Sequence, residues 1–165
     1  MPDPAPKPAG GAATGVWQDP YRNYHFKLDI QGITEAHFTE CSSIGVRVQA
    51  ITYREAGDQP NVRRIPGRVE YADVTLRYGL TKSTDLWKWL MNVASGTADR
   101  KNVSVILMDS TGMQEVTRWN LNNAWPREWS GAPLDARGQE IAIESLTLVF
   151  ESVDRDGVGL SQGKK

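Results

Sequence analysis

Few side chains in this sequence have the type and spacing that covalent or acid–base chemistry requires. Cys41 is followed by Ser42 and Ser43, but a thiol becomes a nucleophile only where a base or a positive field lowers its pKa. No pairing motif joins it to a histidine, so a part-buried structural thiol is expected. His25 alternates with the apolar residues of a strand-like run, and His37 precedes Phe38; each is read as hydrogen-bonded or solvated, not as a general base. Glu140 and Glu144 are four apart in a run that reads as strand. That spacing puts both on one side of a sheet, where like charges repel, and arginines from a neighbouring copy would relieve them. The phosphate-cradling GxxxxGK and GxGxxG patterns and the GxSxG nucleophile elbow do not occur. One cysteine and two histidines give no zinc-ligand spacing. The sequence therefore assigns no catalytic residue, no metal ligand and no cofactor, and reads as a protein without turnover of its own.

Aromatic and arginine usage is the unusual feature. The six tryptophans are Trp17, Trp87, Trp89, Trp119, Trp125 and Trp129. Trp87 and Trp89 lie two apart in a helical pattern and so cannot face the same core. One is expected to pack inward, while the other lies on the surface or fills a neighbouring subunit, since tryptophan and arginine are enriched at interface hot spots. Five arginines fall between positions 47 and 68 (Arg47, Arg54, Arg63, Arg64 and Arg68), against Glu55 and Asp58. The segment Arg54 to Gly67 holds two prolines and is too long for a tight hairpin, so it reads as a docking loop. A second long connection, Asn122 to Gly138, holds Trp125, Pro126, Trp129 and Pro133. Loops of such length are usually functional or bound to something.

The elements that must position these residues are mostly strands. Phe26, Leu28 and Ile30 alternate with polar residues, which describes a half-buried strand. Val46 and Val48 open a second strand, whose apolar phase flips by Ile51 and Tyr53, as a bulge would cause. Val74, Leu76 and Tyr78 form a third, begun at Val69 and Tyr71 with a phase break near Ala72. Val103, Val105 and Leu107 make a fourth, apolar on both sides through Ile106 and Met108. Asp109-Ser110-Thr111-Gly112 turns it into a fifth through Val116 to Leu121. The last runs through Ile141, Ile143, Leu146, Leu148 and Phe150. Between them, Leu86, Leu90, Val93 and Ala94 have helical spacing, with Ser83 or Thr84 as cap, Asp85 at the positive end and Gly96 at the exit. The expected fold is mainly β: a barrel or sandwich of six or more antiparallel strands with one flanking helix over about 84–95.

Length and composition suit one soluble domain. The chain has 165 residues, 39% hydrophobic and 24% charged, with a net charge of −1. A general nucleic-acid binder would carry a basic excess. A lone cysteine excludes a disulfide-stapled scaffold and fits a reducing compartment. No apolar run approaches the ~20 residues of a membrane-spanning helix, and the first residues do not have the charged-then-apolar order of a secretory signal. Residues 1–15, rich in Pro, Ala and Gly, and 154–165, with three glycines and two closing lysines, are expected to be flexible ends of a body over 16–153.

Seven blocks in order give a resemblance over nearly the whole body: DPYRNYHFKLDIQG (19–32), YREAGD (53–58), IPG (65–67), VTLRYGLTKSTDLWKWL (74–90), RKNVSVILMD (100–109), WNLNNAWPREWSG (119–131) and EIAIESLTLVFE (140–151). The chain resembles the tail-tube proteins of contractile phages and related injection systems. The Pro/Ala/Gly-rich segment ahead of the DPY block departs from that pattern. The resemblance implies a β-barrel-like sandwich with one helix. It also implies six copies joined edge to edge in a ring, and rings stacked into a hollow tube that a contracting sheath drives through a target envelope. The partners so implied are the chain itself, sheath, baseplate and tube-initiator proteins, and a luminal cargo, either DNA or an effector protein. Assembly in the bacterial cytoplasm without membrane insertion is expected. On that reading the loop with Arg54, Glu55, Asp58, Val62, Arg63, Arg64 and Ile65 is the candidate ring-stacking contact. Trp87, Trp89, Trp125 and Trp129 are candidate subunit or sheath contacts. A tube-initiator paralogue and a type VI secretion ring protein of the haemolysin-coregulated type share these expectations. A small β-barrel enzyme or ligand-binding protein, its pocket built by the Trp-rich loop, is the reading from another class.

Overall fold

In the computed structural model, residues 25–33, 38–54 and 62–159 are described. Trp17, His37, Glu55, Asp58 and the proposed flexible N-terminus lie outside them. The order of elements is β1 (Phe26–Ile30), β2 (Phe38–Cys41), β3 (Val46–Tyr53), β4 (Arg63–Tyr71), β5 (Val74–Gly79), α1 (Asp85–Ala94), β6 (Lys101–Met108), β7 (Glu115–Ser130), β8 (Ile143–Val149), β9 (Ser152–Arg155) and β10 (Val158–Gly159). The strands pair antiparallel in the order β1-β6-β7-β8-β5-β2, with β9 on β7 and β10 on β9, while β3 and β4 pair, among the described residues, only with each other. The fold is mainly β with one helix, as expected, and sandwich-like instead of a closed barrel: β1 and β2 end the path as unpaired edges among the described residues.

The long strand β7 makes the sandwich. Its first part pairs with β6 and its last part with β8. Between them Asn123 has φ 53, a left-handed conformation that Asn tolerates better than most residues. Its backbone N–H donates to Asn102 Oδ1 and its side chain to Glu151 Oε2. One strand thus turns a corner between two layers. This overturns the reading of Asn122 to Gly138 as one long loop: Trp125, Pro126 and Trp129 belong to a strand, and the connection starts at Gly131.

The core lies between the layers. Val74, Leu76, Val103, Leu121, Leu146 and Leu148 are all 0% exposed. The helix closes one side with Leu86 and Trp89, the latter 1% exposed, and Trp89 Nε1 donates to the Asp99 carbonyl at 2.8 Å. A tryptophan N–H is matched in the core, as burial demands. Asp85 N donates to Ser83 Oγ at the helix start, and Gly96, φ 91, takes the exit. The predicted turn at Asp109 holds too: its carboxylate accepts from the backbone N–H of Met113 and Gln114.

Three further expectations are corrected. Val69 and Tyr71 do not begin the strand of Val74; they end β4, which belongs to a different sheet. Ile141 precedes β8 and is 81% exposed. The C-terminal tail expected from Asp154 starts as structure: Asn120 and Asn122 donate to the Asp154 carboxylate, and Thr117 donates to Asp156 Oδ2 at 2.6 Å. Short strands such as β2, β9 and β10 escaped the sequence reading because two to four residues carry no resolvable period.

Candidate functional site

The β3–β4 ribbon stands apart from the body. Every residue of β3 is exposed, and in β4 only Gly67, Val69 and Tyr71 are half-buried. Tyr71 anchors its base, with its ring 5.5 Å from that of Phe150. Beyond that anchor the ribbon carries large apolar side chains into solvent: Val46 55%, Val48 52%, Ile51 53% and Val62 50% exposed.

The end of the predicted docking loop, from Arg63 to Gly67, is strand. Arg63, Arg64 and Ile65 pair with Tyr53, Thr52 and Ile51, and only the segment between Arg54 and Val62 connects the strands. β-Branched and aromatic residues on both sides favour this pairing over a loop, and Pro66 is tolerated because the ribbon consists of edges. The register shifts between Val48 and Ala50, where the partner advances from Val69 to Pro66. The extra residue is thus on β4, at Gly67-Arg68, and β3 alternates without interruption. A Cβ on Gly67 would meet Ile51 Cδ1 and Cγ1 at 2.9 Å and Gln49 O at 3.1 Å, so the bulge needs a residue without one. The sequence reading assigned the bulge to the strand of Val46. The true placement has a consequence: Val46 and Val48 are apolar on one face, whereas Ile51 and Tyr53 are apolar on the other. The ribbon has two apolar faces, one near its base and one near its tip.

Five arginines, Arg47, Arg54, Arg63, Arg64 and Arg68, share this ribbon with Glu70 among its described residues. Glu70 accepts from Gln49 Nε2. The ion pairs of the body lie elsewhere, for example Arg77–Glu40 at 3.2 Å and a two-bonded Arg118–Glu115 at 2.8 and 2.9 Å.

The four candidate tryptophans gather at the contact of α1 with β7. Trp89 is core. Trp87 is 43% exposed and meets Trp129 edge to face, centroids 4.8 Å apart at 74°; Trp129 Nε1 donates to Tyr78 Oη. Trp125 lies beside Val93 and Arg100 at a shallow hollow of about 260 Å³. The Trp-rich segment is thus a packing seam, with Trp87 as its exposed member.

Exposed apolar groups recur in the β7–β8 connection. Leu134 is 89% exposed and Ile141 81%, and Ile143 at the start of β8 is 40% exposed. Asp135, Glu140 and Glu144 stand among them. No period could have flagged Leu134, because a loop residue has none.

The outer face of β1, β6, β7 and β9 carries a polar row. Asp29, Ser104, Asn120 and Asp154 stand in one cross-strand row, with Ser104 donating to Asn120 and Asn120 to Asp154, each at 2.8 Å. The open edges β1 and β2 flank a cleft of about 470 Å³ that Cys41, Ile44, Leu107 and Trp119 line. Burial, with Glu40 adding to it, pushes the Cys41 thiol up to about 11, so it stays protonated and unreactive at neutral pH. Among the described residues no three His, Cys, Asp or Glu side chains group as metal ligands, and no helix is long and apolar enough to cross a membrane.

The family described as T4-like virus tail tube protein gp19 matches residues 22–154. No curated protein matches the chain. Among solved structures, it is similar to a chain of the PVC sheath–tube complex of an extracellular contractile injection system in the extended state, at 25% identity, TM-score 0.74, covering 84% of this chain and 93% of that one. It is similar to a chain of the tube-terminating cap of the anti-feeding prophage, at 23% identity, TM-score 0.77, covering 87% and 98%. Hcp1 from Flavobacterium johnsoniae shares the fold more distantly, at 13% identity, TM-score 0.53, covering 82% and 98%.

Proposed function

The chain belongs to the T4-like virus tail tube protein gp19 family, and from that membership we propose that it is the repeating subunit of the hollow inner tube of a contractile, phage-tail-like injection machine. Six copies close into a ring and rings stack into a tube. A surrounding sheath drives the tube forward, and its bore carries cargo, DNA or effector protein. Assembly takes place in the bacterial cytoplasm, beside baseplate and tube-initiator proteins.

One observation carries this reading: the chain leaves in the open what a solitary protein would cover. Among the described residues the edges β1 and β2 are unpaired, and the β3–β4 ribbon holds large apolar residues in solvent. Exposed edges and apolar ribbons are aggregation hazards in a monomer. Closure around an axis converts the edges into ring contacts, and the ribbon then serves as the contact between rings. The polar row across β1, β6, β7 and β9 suits the wall of a water-filled bore, because hydrogen-bonded polar side chains there oppose adhesion of cargo.

The test is electron microscopy of the purified chain, which should form rings and tubes. In the Arg63→Glu, Arg64→Glu double variant the rings persist and the tubes shorten or vanish. A stable monomer across a wide concentration range would overturn the tube reading, and full-length tubes from the double variant would move the stacking contact away from the ribbon.

A further inference from the structure

The ribbon needs a receiving surface, and a second region of the same chain has the complementary chemistry. We infer that the tip of the β3–β4 ribbon docks on the β7–β8 connection of the next copy, a reading that rests on the tube proposal and names the counter-surface it requires.

Charge is the first argument. Across residues 46–71 the sequence has five arginines against Glu55, Asp58 and Glu70, an excess of two positive charges. Across residues 128–144 it has Glu128, Asp135, Glu140 and Glu144 against Arg137, an excess of three negative charges. The ion pairs among the described residues involve none of Arg64, Arg68, Asp135, Glu140 or Glu144. Opposed fields of this kind set partner choice and register.

Apolar area is the second. The tip face of the ribbon offers Ile51, Tyr53 and Ile65, each about half exposed. The connection offers Leu134, Ile141 and Ile143. Both are apolar centres with charged surroundings, and such a pairing supports a specific contact in which the apolar part supplies affinity and the rim supplies selection.

Topology is the third. The ribbon leaves the body just before Val74, at the start of β5. The connection reaches the body at the other end of that strand, where Gly79 pairs with Ile143 and the Leu80 N–H donates to the Ala142 carbonyl. Six residues of strand separate the two by roughly 20 Å. A contact between two different surfaces of one subunit is heterologous, and when repeated it grows head to tail. That is the geometry axial stacking needs.

Charge exchange in the full-length chain tests the inference. The Arg63→Glu, Arg64→Glu variant and the Asp135→Arg, Glu140→Arg variant should each lower the amount of sedimentable tube at least tenfold, with rings retained. The four substitutions combined should restore tubes. A second arm does not depend on charge: Ile65→Cys with Ile141→Cys in a Cys41→Ser background should give, on mild oxidation of assembled tubes, a ladder of linked subunits on a non-reducing gel. Unaffected tubes in either double variant, failure of the combination to restore them, or a missing ladder from assembled tubes would overturn the pairing while leaving the tube reading in place. Failure of the unmodified chain to assemble would overturn both.

Discussion

Strands β3 and β5 are written in the same alphabet and meet opposite fates. VTLRYG in β5 buries Val74 and Leu76 completely, whereas VRVQAITY in β3 leaves every residue exposed. The difference lies in neighbours. β5 is hydrogen-bonded to β2 on one side and to β8 on the other, and its inner face joins Leu146 and Leu148 in the core cluster. Among the described residues β3 has β4 and nothing beyond it. Apolar periodicity states that a face will be covered; it does not state whether the cover comes from the same chain or another copy. In a chain that assembles as proposed, the two cases are mixed along one sequence.

The comparison is broken or sharpened by substitution. Leu76→Ala empties a 0%-exposed site and is expected to cost about 2–5 kcal/mol, read by chemical denaturation of the unassembled chain. Ile51→Ala, at 53% exposure, should cost roughly 0.5 kcal/mol or less in the same measurement, yet raise the concentration needed for assembly. Equal losses of monomer stability would erase the distinction between body and ribbon.

Trp87 sits between the two classes. It has a ring partner in Trp129 and a free outer side. Trp87→Ala should remove about 1 kcal/mol of monomer stability, the worth of an edge-to-face pair, and leave ring formation intact. A variant with unchanged stability but impaired assembly would move Trp87 from the packing seam to the subunit contact.

The smallest effect concerns pH. Hydrogen bonds from Thr111, Arg118 and Thr117 hold the carboxyls of Asp109, Glu115 and Asp156 below their ordinary range. A depressed folded-state pKa stabilises the fold above the unfolded pKa and is lost as pH falls through the folded one. All three are solvent-facing, so screening keeps each contribution modest. Thermal scans from pH 6 to 3 should therefore show Tm falling gently below about pH 4, with the β6–β7 turn and the β9 end as the first regions to lose amide protection. A Tm that rises on acidification would contradict the assignment.

Much of the body was legible in advance because local rules and tertiary outcome agree there. Helical spacing with an acidic start and a glycine exit gave α1, and unbroken alternation gave β1, β5 and most of β8. The candidate site was less legible. Composition flagged the arginine-rich stretch, but its prolines argued for a loop through Pro66, where the chain forms a strand. The connection with Leu134 was flagged by its length and its glutamates, without any sign of which apolar residues it exposes.

What the sequence determined by itself is the class of the protein. Alternation with one helical interval makes a mainly β domain, and ordered blocks carry the tail-tube resemblance. What the tertiary structure alone decided is where apolar surface remains uncovered. The extra residue at Gly67-Arg68 sits on β4 and not on β3, and this puts apolar side chains on both faces of the ribbon. Asn123 turns one strand into two layers. Both depend on which strand pairs with which, in what register, over distances the local sequence does not span. Period and propensity act between near neighbours, whereas register is settled by the packing of the whole sheet.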